Sequence, residues 1–347
     1  MRPAPGLVPS GGTLYDERVL AAWRRLGMAC RDVPLPGPWP EPDAAARARL
    51  AAALRSCRVG PDGDRVILDG LVGGCCPAEL ADARAGLALA LLVHLPLDAE
   101  PGLPDAARAR LHAAEQDALA VAGRVLVPSA FAARDLAARF ALSEAPVVAR
   151  PGQDPAPLAD GSDPPLLVMV GAFTPGKNHA LALAALAALT DRPWRLTLAG
   201  GEPARASTLP ALRHRVAAAG LGGRVRFAGV LRDAALDALW AAADLLLLPS
   251  LAETYGMVVS EALARGVPCL VGAGTGAVEA LVGPAGSTPP AGAALDPDDP
   301  EAWRAALARW LDDPGLRAAW RARAVLRRAE LRPWDDTART IARAVGG

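Results

Sequence analysis

Short apolar runs alternate with helical patterns along residues 1–150 of the chain. Strands are predicted where apolar residues are continuous, and helices where they recur every three or four positions. The predicted strands are Met28 to Val33, Arg65 to Gly70, Ala88 to His94 and Arg124 to Ser129, after a weaker first strand in the proline-rich PAPGLVP; the predicted helices are Leu14 to Leu26, Ala44 to Arg55, Asp105 to Val121 and one capped by Ser129. This alternation predicts a parallel sheet with helices on both faces.

The same alternation restarts after residues 151–165, which are rich in proline, glycine and aspartate and are interpreted as an interdomain linker. Five strands separated by helical stretches are predicted within 166–334: Leu166 to Gly171, Leu196 to Gly201, Val225 to Gly229, Asp244 to Ser250 and Pro268 to Gly272. A last helix is predicted over about 335–347. The fold class is therefore expected to be α/β, with two doubly wound Rossmann-like domains whose strand ends face a central cleft.

The charge of the chain is balanced. Its 347 residues include 37 basic and 37 acidic side chains, and the pI is about 6.9. This balance disfavours nucleic acid as a partner, and no apolar run is long enough for a transmembrane segment. Five cysteines without metal-ligand spacing, and an N-terminus without a signal-peptide pattern, favour a cytoplasmic protein. Peripheral contact with a membrane surface stays open.

Several residue types are nearly absent from the chain. Lys177 is the sole lysine in a chain that otherwise uses arginine, and Asn178 is the sole asparagine. Tyr15 and Tyr255 are the only tyrosines. A residue type that has vanished elsewhere is expected to persist where chemistry requires it, the alternative being chance survival.

The most informative segment is DLLLLPSLAETYGMVVSEALARGVP, Asp244 to Pro268. An apolar strand leads into a polar loop, and a helix is predicted from about Met257 to a stop at Gly266. Unpaired N–H groups of the loop and the first helical turn favour a phosphate or sugar hydroxyls. Glu253 and Glu261 can face one ligand from two sides, and hydroxyl groups suit these carboxylates better than a diphosphate does.

A second candidate is VGAFTPGKNH, in which a strand runs into a Pro-Gly loop that carries Lys177. This ammonium group can neutralise a diphosphate and the charge that grows on a leaving group. Neither half has a G-x-G-x-x-G after its first strand, which disfavours a dinucleotide dehydrogenase. The GAGTGA stretch is only superficially similar, because it follows a late strand.

The ETYGMVVSE segment resembles the E-x7-E motif of GT-B glycosyltransferases in the large retaining group known as family 4. The resemblance implies that Glu261 binds the ribose and that Glu253 lies near the donor sugar. PSGGTLYDERV resembles the glycine-rich N-terminal loop of the family, LVHLPL its active-site histidine segment, and FAGVL its base-contacting segment. The implied catalytic residues are Lys177, Glu253 and His94, and the implied nucleotide-sugar contacts are Gly11, Gly12, Gly171, Lys177, Val230, Glu253, Thr254, Tyr255, Gly256, Met257 and Glu261.

Two positions depart from the family pattern. Ala172 stands where an arginine is usual, and Asn178 where glycine is common. At the diphosphate, either Lys177 acts with backbone amides alone or another arginine takes part. No D-x-D sequence ends a strand, and DPDDP (Asp296 to Pro300) is interpreted as a helix cap. This suits the metal-independent chemistry that the resemblance implies, with neither a metal nor another cofactor.

The resemblance implies a hexosyltransferase that moves a sugar from a UDP- or GDP-sugar to an acceptor, a small molecule, glycan or lipid, with retention of anomeric configuration. In this arrangement residues 1–150, completed by the last helix, bind the acceptor, and residues 166–334 bind the donor. Two alternatives stay open: a nucleotide-sugar hydrolase or epimerase on the same scaffold, and a non-catalytic GT-B binding protein.

Overall fold

A computed structural model describes residues 1–4, 6, 10–60, 63–202, 207–283 and 289–346. The chain divides into two compact units, here called unit 1 (Met1–Gly152 with Arg332–Gly347) and unit 2 (Gln153–Leu331). All strand pairs among the described residues are parallel.

Unit 1 contains a four-stranded sheet in the order β3-β4-β5-β6 and a separate pair, β1-β2. Backbone hydrogen bonds between Met1 and the β3 residues Ile67 and Asp69 join this pair to the sheet. The strands are β1 (Arg2–Pro3), β2 (Pro34–Leu35), β3 (Arg65–Asp69), β4 (Ala88–Leu92), β5 (Arg124–Val127) and β6 (Val147–Val148), and the helices are α1 (Gly11–Arg25), α2 (Ala44–Arg55), α3 (Gly70–Gly73), α4 (Pro77–Arg84), α5 (Asp105–Val121) and α6 (Ala130–Arg139).

The start of unit 1 differs from the sequence prediction. The strand predicted over Met28 to Val33 is wrong, because the backbone pairing with β1 runs along residues 33–35 and leaves residues 28–32 without a strand partner. In the predicted first strand PAPGLVP, Pro5 and Leu7–Pro9 lie outside the described residues. Most of the other predicted elements of this half are present, and Ser129 caps α6 by accepting a hydrogen bond from the Ala132 amide.

Unit 2 contains a six-stranded sheet in the order β12-β11-β10-β7-β8-β9. Its strands are β7 (Leu166–Val170), β8 (Arg195–Ala199), β9 (Val225–Gly229), β10 (Leu245–Leu248), β11 (Cys269–Gly272) and β12 (Gly292–Leu295), and the helices are α7 (His179–Ala187), α8 (Thr208–Ala218), α9 (Asp233–Ala241), α10 (Met257–Ala264), α11 (Ala277–Val282), α12 (Pro300–Asp312) and α13 (Pro314–Arg328). The last helix of the chain, α14 (Trp334–Gly346), belongs to unit 1.

The apolar runs of the unit 2 strands have a direct structural cause. Successive side chains of a strand point to opposite faces, and both faces of this sheet are covered by helices. In β7, Leu167 and Met169 belong to one buried cluster, and Leu166 and Val168 belong to the other. Most residues of the β7, β8, β10 and β11 runs are therefore buried on one side or the other, which removes the polar alternation that a half-exposed strand would show.

A buried carboxyl group fixes the loop between β4 and α5. Glu115 of α5 is fully buried, and its Oε2 accepts a hydrogen bond of 2.7 Å from the Leu97 amide. Burial raises the pKa of Glu115 from its ordinary 4.5 to about 8, and the nearby negative charge of Asp98 adds to the shift. This carboxyl group is therefore mostly protonated in the folded protein at neutral pH.

We expect this proton to make stability depend on pH. Between about pH 4.5 and pH 8 the unfolded chain has lost the Glu115 proton and the folded chain keeps it. The Glu115 contribution to stability is thus fully present below pH 4.5 and is lost as the pH rises through 8, with a slope of up to about 1.4 kcal/mol per pH unit. Denaturant unfolding from pH 5 to pH 9 should show that Glu115→Gln lacks this slope.

Asp117→Asn is the matched control, because Asp117 is an exposed carboxyl group on the same helix. This variant should follow the wild-type profile. Parallel stability profiles for Glu115→Gln and the wild type would contradict the assignment of a retained proton to Glu115.

Candidate functional site

The order of strands in unit 2 reverses between β7 and β10. The chain builds outward from β7 through β8 to β9, then returns to place β10 on the other side of β7. The connections that follow two such strands leave in opposite directions, so their carboxyl ends border an open crevice. The loop after β7 carries Lys177, and the loop after β10 carries Glu253.

Lys177 and Glu253 meet at this edge of the sheet. Lys177 ends a single 3-10 turn, Pro175–Lys177, and its Nζ donates to Oε1 of Glu253. The Ser250 hydroxyl donates to the same oxygen at 3.1 Å. A backbone hydrogen bond of 2.8 Å from Leu251 to Gly176 ties the two loops together. The ammonium group is thus oriented, and its charge is offset, by groups of the protein itself.

The ion pair leaves room for a ligand. An ammonium group carries three hydrogens, and Glu253 accepts one of them. The side chains of Lys177 and Glu253 are 29% and 12% exposed, so the cation is the more accessible partner. Gly171 lies beneath the lysine, since a Cβ built on it would be 3.7 Å from the Lys177 Cε.

The loop from Glu253 to Gly256 leads into α10, which begins at Met257 as the sequence predicts. Gly256 has a φ of 79°, a left-handed conformation that glycine adopts without strain. The side chain of Tyr255 is buried, and its hydroxyl lies 3.3 Å from that of Ser260. The Tyr255 side chain therefore anchors the loop, while any ligand contact is left to the backbone. Thr254 and Met257 are half-buried.

The glycine-rich turn after β11 braces this loop. The Gly276 amide donates a hydrogen bond of 2.6 Å to the Glu253 carbonyl oxygen. A Cβ on Gly276 would lie 2.1 Å from the Thr254 carbonyl oxygen, which no packing can absorb without moving the backbone. The sequence patterns gave GAGTGA no role. Its glycines, placed after a strand next to β10 in the sheet, were the signal of this close approach.

The other predicted site residues of unit 2 are more scattered. Glu261 lies in the second turn of α10 and is half-buried. Val230 is 38% exposed and directly follows β9, at the same edge of the sheet as Lys177 but two strands away. Among the predicted site residues of unit 2, Glu253 and Gly171 both lie against Lys177.

The residues that follow Lys177 have structural roles. Asn178 adopts a left-handed conformation with a φ of 50°, which asparagine tolerates better than most residues, and its amide donates to the Pro297 carbonyl at 2.9 Å. His179 begins α7 and is buried against Phe173. Burial, together with the positive charge of Lys177, lowers the pKa of His179 to about 4. His179 is therefore neutral.

The predicted residues of unit 1 form a separate group. Ser10 caps α1 by accepting from the Thr13 amide at 3.1 Å, so Gly11 and Gly12 form its first turn. Gly12 lies against His94, and a Cβ on it would be 2.9 Å from the His94 Cδ2 atom, whereas Gly11 faces open space. The His94 Nε2 atom is 3.0 Å from Oδ1 of Asp16 and 3.7 Å from Oδ2 of Asp69.

The sequence patterns did not indicate Asp16 or Asp69, although Asp69 ends a buried strand. Together with His94 they place three ligand-type atoms within 4.8 Å of one another among the described residues. The hydrogen bond between Asp16 and His94 accounts for this grouping without an ion. Asp299 accepts from the Glu301 and Ala302 amides and caps α12, as predicted for the acidic DPDDP segment.

The family match of the chain falls within unit 2. Residues 153–327 match the family described as glycosyl transferases group 1. A D-inositol 3-phosphate glycosyltransferase from Corynebacterium glutamicum (strain R) is 33% identical over 156 residues, 44% of this chain and 36% of the relative. Another, from Kineococcus radiotolerans, is 32% identical over 248 residues, 65% of this chain and 57% of the relative. The chain thus spans between about a third and somewhat over half of these relatives.

Solved structures extend the likeness to nearly the whole chain. Sucrose-phosphate synthase from Thermosynechococcus elongatus superposes with a TM-score of 0.77 at 19% identity, over 96% of this chain and 92% of that one. HepE of Anabaena, solved in complex with UDP and glucose, gives a TM-score of 0.75 at 17% identity, over 100% and 98% of the two chains. These likenesses confirm the predicted GT-B fold. None of the helices in the described ranges combines the length and hydropathy of a membrane span.

The contact between Gly276 and Thr254 can be tested directly. Gly276→Ala places a methyl group where the Thr254 carbonyl lies, and we expect unfolding to become easier by about 1–3 kcal/mol, the usual cost of overpacking. Gly222→Ala is the matched control, since its Cβ would meet nothing within 4 Å, and it should change stability by less than about 0.5 kcal/mol. Denaturant unfolding measures both. Equal stabilities of the two variants would show that the two loops are not in tight contact.

Proposed function

The chain belongs to the glycosyl transferases group 1 family, and we propose that it is a hexosyltransferase that moves a sugar from a nucleotide diphosphate sugar to an acceptor. The observation that carries this proposal is the pair of Lys177 and Glu253, held together where β7 and β10 diverge. The names of the relatives, all glycosyltransferases among the first matches, support it. So does the UDP bound by the structurally similar HepE.

In the proposed reaction the bond between the sugar C1 atom and the diphosphate oxygen breaks, and its electron pair stays on that oxygen. C1 then forms a bond to the acceptor oxygen, and the acceptor proton passes to the leaving diphosphate oxygen. The negative charge that grows on the diphosphate is stabilised by a preorganised cation, for which we assign Lys177. The N–H groups at the start of α10 add a partial positive charge at the same edge of the sheet.

We assign the remaining contacts of unit 2 to the donor. Glu261 would accept hydrogen bonds from the ribose, and Glu253 would lie near the sugar. Backbone groups of Thr254, Tyr255, Gly256 and Met257 would contact sugar and phosphate. Gly171 would allow close approach beneath Lys177, and Val230 would border the base. The half-buried setting of Glu261 and the tight bracing of the 253–256 loop support these roles.

In unit 1 we assign Gly11, Gly12 and His94 to substrate contact, and the unit as a whole to acceptor binding. The donor base is proposed to be uracil or guanine, and the transfer to proceed with retention of the anomeric configuration. The family resemblance supports these assignments. The anomeric outcome is read from the product by NMR, and an inverted product would refute retention.

We further propose that transfer needs no metal ion, because Lys177 and helix amides take the place of one. The experiment is turnover of a panel of UDP- and GDP-sugars in EDTA, with and without candidate sugar, polyol and lipid acceptors. Acceptor-dependent release of nucleoside diphosphate in EDTA supports the proposal. Release without any acceptor favours a hydrolase, conversion of the sugar an epimerase, and nucleotide binding without turnover a non-catalytic protein. Turnover that EDTA abolishes and Mn²⁺ restores would refute metal independence.

Lys177 should be the position most sensitive for the chemical step. We expect Lys177→Ala to lower kcat by about 10²–10³-fold, the size expected for removing one preorganised group that faces developing charge. Lys177→Arg should recover part of this loss, because a planar guanidinium does not reproduce a compact ammonium group between Glu253 and a phosphate. The measurement is kcat at saturating donor for the three proteins.

Arg309→Ala is the matched control, an exposed cation removed from the same unit, and it should keep full activity. Melting curves should show Lys177→Ala folded, since a partly exposed ion pair contributes about 1 kcal/mol or less. Full activity of Lys177→Ala would show that helix amides suffice for the diphosphate.

A further inference from the structure

Three titratable side chains of unit 1 converge although they come from distant parts of the chain. Asp16 lies in the second turn of α1, Asp69 ends β3, and His94 follows β4. The His94 Nε2 atom is within hydrogen-bond distance of Asp16 (3.0 Å) and within ion-pair distance of Asp69 (3.7 Å). Both carboxylates are more than nine-tenths buried, whereas the His94 side chain is 16% exposed.

The surroundings leave the imidazole ring little freedom. Gly12 packs against its Cδ2 atom, and Tyr15 lies edge-on to the ring with 5.0 Å between centroids. Tyr15 is itself fixed, because its hydroxyl donates to the Ala149 carbonyl at 2.7 Å and its ring packs edge-on against Trp334. Asp69 is fixed from the other side, where it accepts a hydrogen bond of 2.6 Å from the Leu71 amide. The ring therefore has one packed orientation, with Nε2 toward the carboxylates.

We propose that Asp16 and Asp69 are positioning residues that together hold His94 in one orientation and in its protonated form, so that unit 1 presents a fixed cation beside the first turn of α1. Two buried carboxylates facing each other repel, and a cation between them removes that repulsion. A single Nε2–H serves one hydrogen bond, to Asp16, and the positive charge serves both carboxylates.

The electrostatic surroundings agree with this assignment. Burial lowers the pKa of His94, but the charge of Asp16, its hydrogen bond and the charge of Asp69 outweigh it, so that the net shift is upward. Burial raises the pKa of Asp69 to about 6, and the negative charge of Asp16 adds to the shift while His94 opposes it. The Met1 ammonium interacts with both Asp16 and Asp69, and Arg2 interacts with Asp16.

The inference rests on the proposed function in one respect, the assignment of His94 to substrate contact. Asp16 and Asp69 act through His94 and do not themselves touch the reacting atoms. Both carboxylates also line a cavity of about 580 Å³ in unit 1. Because an ion could enter there, the test must separate a proton held by the three residues from a metal ion.

The experiment follows the ring of His94 by NMR in protein with isotopically labelled histidine. The chain has four histidines, so the spectrum is small, and His94→Gln identifies the signal. The titration runs from pH 5 to pH 9, and we expect the pKa of the wild-type His94 ring to lie above its ordinary value of 6.5. Asp16→Asn should lower its pKa by about one unit, a tenfold loss of proton affinity, and Asp69→Asn by less.

Asp98→Asn is the matched control. Asp98 holds His112 in the same unit, with 2.9 Å between Oδ2 and Nδ1, so this variant should move the signal of His112 and leave that of His94 in place. Melting curves confirm that each variant is folded, and Asp16→Ser and Asp69→Ser replace any asparagine variant that is not. An unchanged His94 titration in both aspartate variants would overturn the proposal. So would a shift of the His94 signal on adding one equivalent of Zn²⁺, which would identify a metal site.

Turnover separates this inference from the proposed function. Asp16→Asn should lower kcat by a larger factor than it changes the donor KM. It should also move the alkaline limb of the pH profile of kcat toward lower pH, in parallel with the His94 titration. A lowered kcat with an unmoved pH profile would mean a merely structural role and would overturn the positioning assignment. If no variant, wild type included, turns over any nucleotide sugar, the proposed function fails, and the NMR titration still decides whether the two carboxylates hold the cation.

Discussion

The reversal of strand order between β7 and β10 is the constraint on which the candidate site depends. Elsewhere in the unit 2 sheet consecutive strands lie next to each other, but β9 and β10 are separated by β7 and β8, and the connections that follow β7 and β10 leave in opposite directions. Lys177 and Glu253 are 76 positions apart in sequence, and this reversal makes them neighbours. The backbone hydrogen bond from Leu251 to Gly176 then fixes the distance between the two loops. No local pattern of either loop could have produced the ion pair alone.

The sequence predicts well where hydrophobic burial determines the structure. The sequence locates β7 and β10 by their apolar runs and α5 by its helical periodicity. It can do so because burial against a sheet places apolar residues in a regular pattern along the chain. β12 was not predicted, since Gly292–Leu295 is a short run of small residues that becomes a strand only through its pairing with β11. Pairing with a distant strand leaves no local signal, and the error over Met28 to Val33 has the same origin.

The candidate site shows the same limit at the level of single residues. Glu253 and Lys177 were found from their motifs, and the structure adds the contact between them. Asp16 and Asp69 were not found, because one lies in an amphipathic helix and the other at a strand end, where a carboxylate usually caps the next helix. Asp69 does cap α3 and also faces His94. The sequence around such a residue indicates only its role as a helix cap, and the contact with His94 is visible only in the structure.

The rare residues of the chain have two kinds of role, one in packing and backbone geometry and one in charge. Asn178 and Tyr15 are retained by geometry: Asn178 turns the backbone into α7 through a left-handed conformation, and Tyr15 wedges between His94 and Trp334. Tyr255 fills the core beneath its loop. Lys177 is the charged residue among the four, and its ammonium group contacts the Glu253 carboxylate. Rarity alone therefore does not distinguish a packing role from a charge role, and the contacts do.

Each unit holds a cation against carboxylate groups: Lys177 against Glu253, and His94 against Asp16 and Asp69. Such pairing weakens the attraction of the cation for an anionic ligand, because part of its field is already cancelled. It also means that the cation is already oriented when negative charge develops in the transition state. In water, the free energy of reorienting the surrounding dipoles limits how well that charge is stabilised. The chain as a whole is close to neutral and exerts no long-range pull on an anion. What the protein can offer an anionic ligand is thus the fixed placement of a few charges, and the carboxylates that offset those charges are also what keeps them in place.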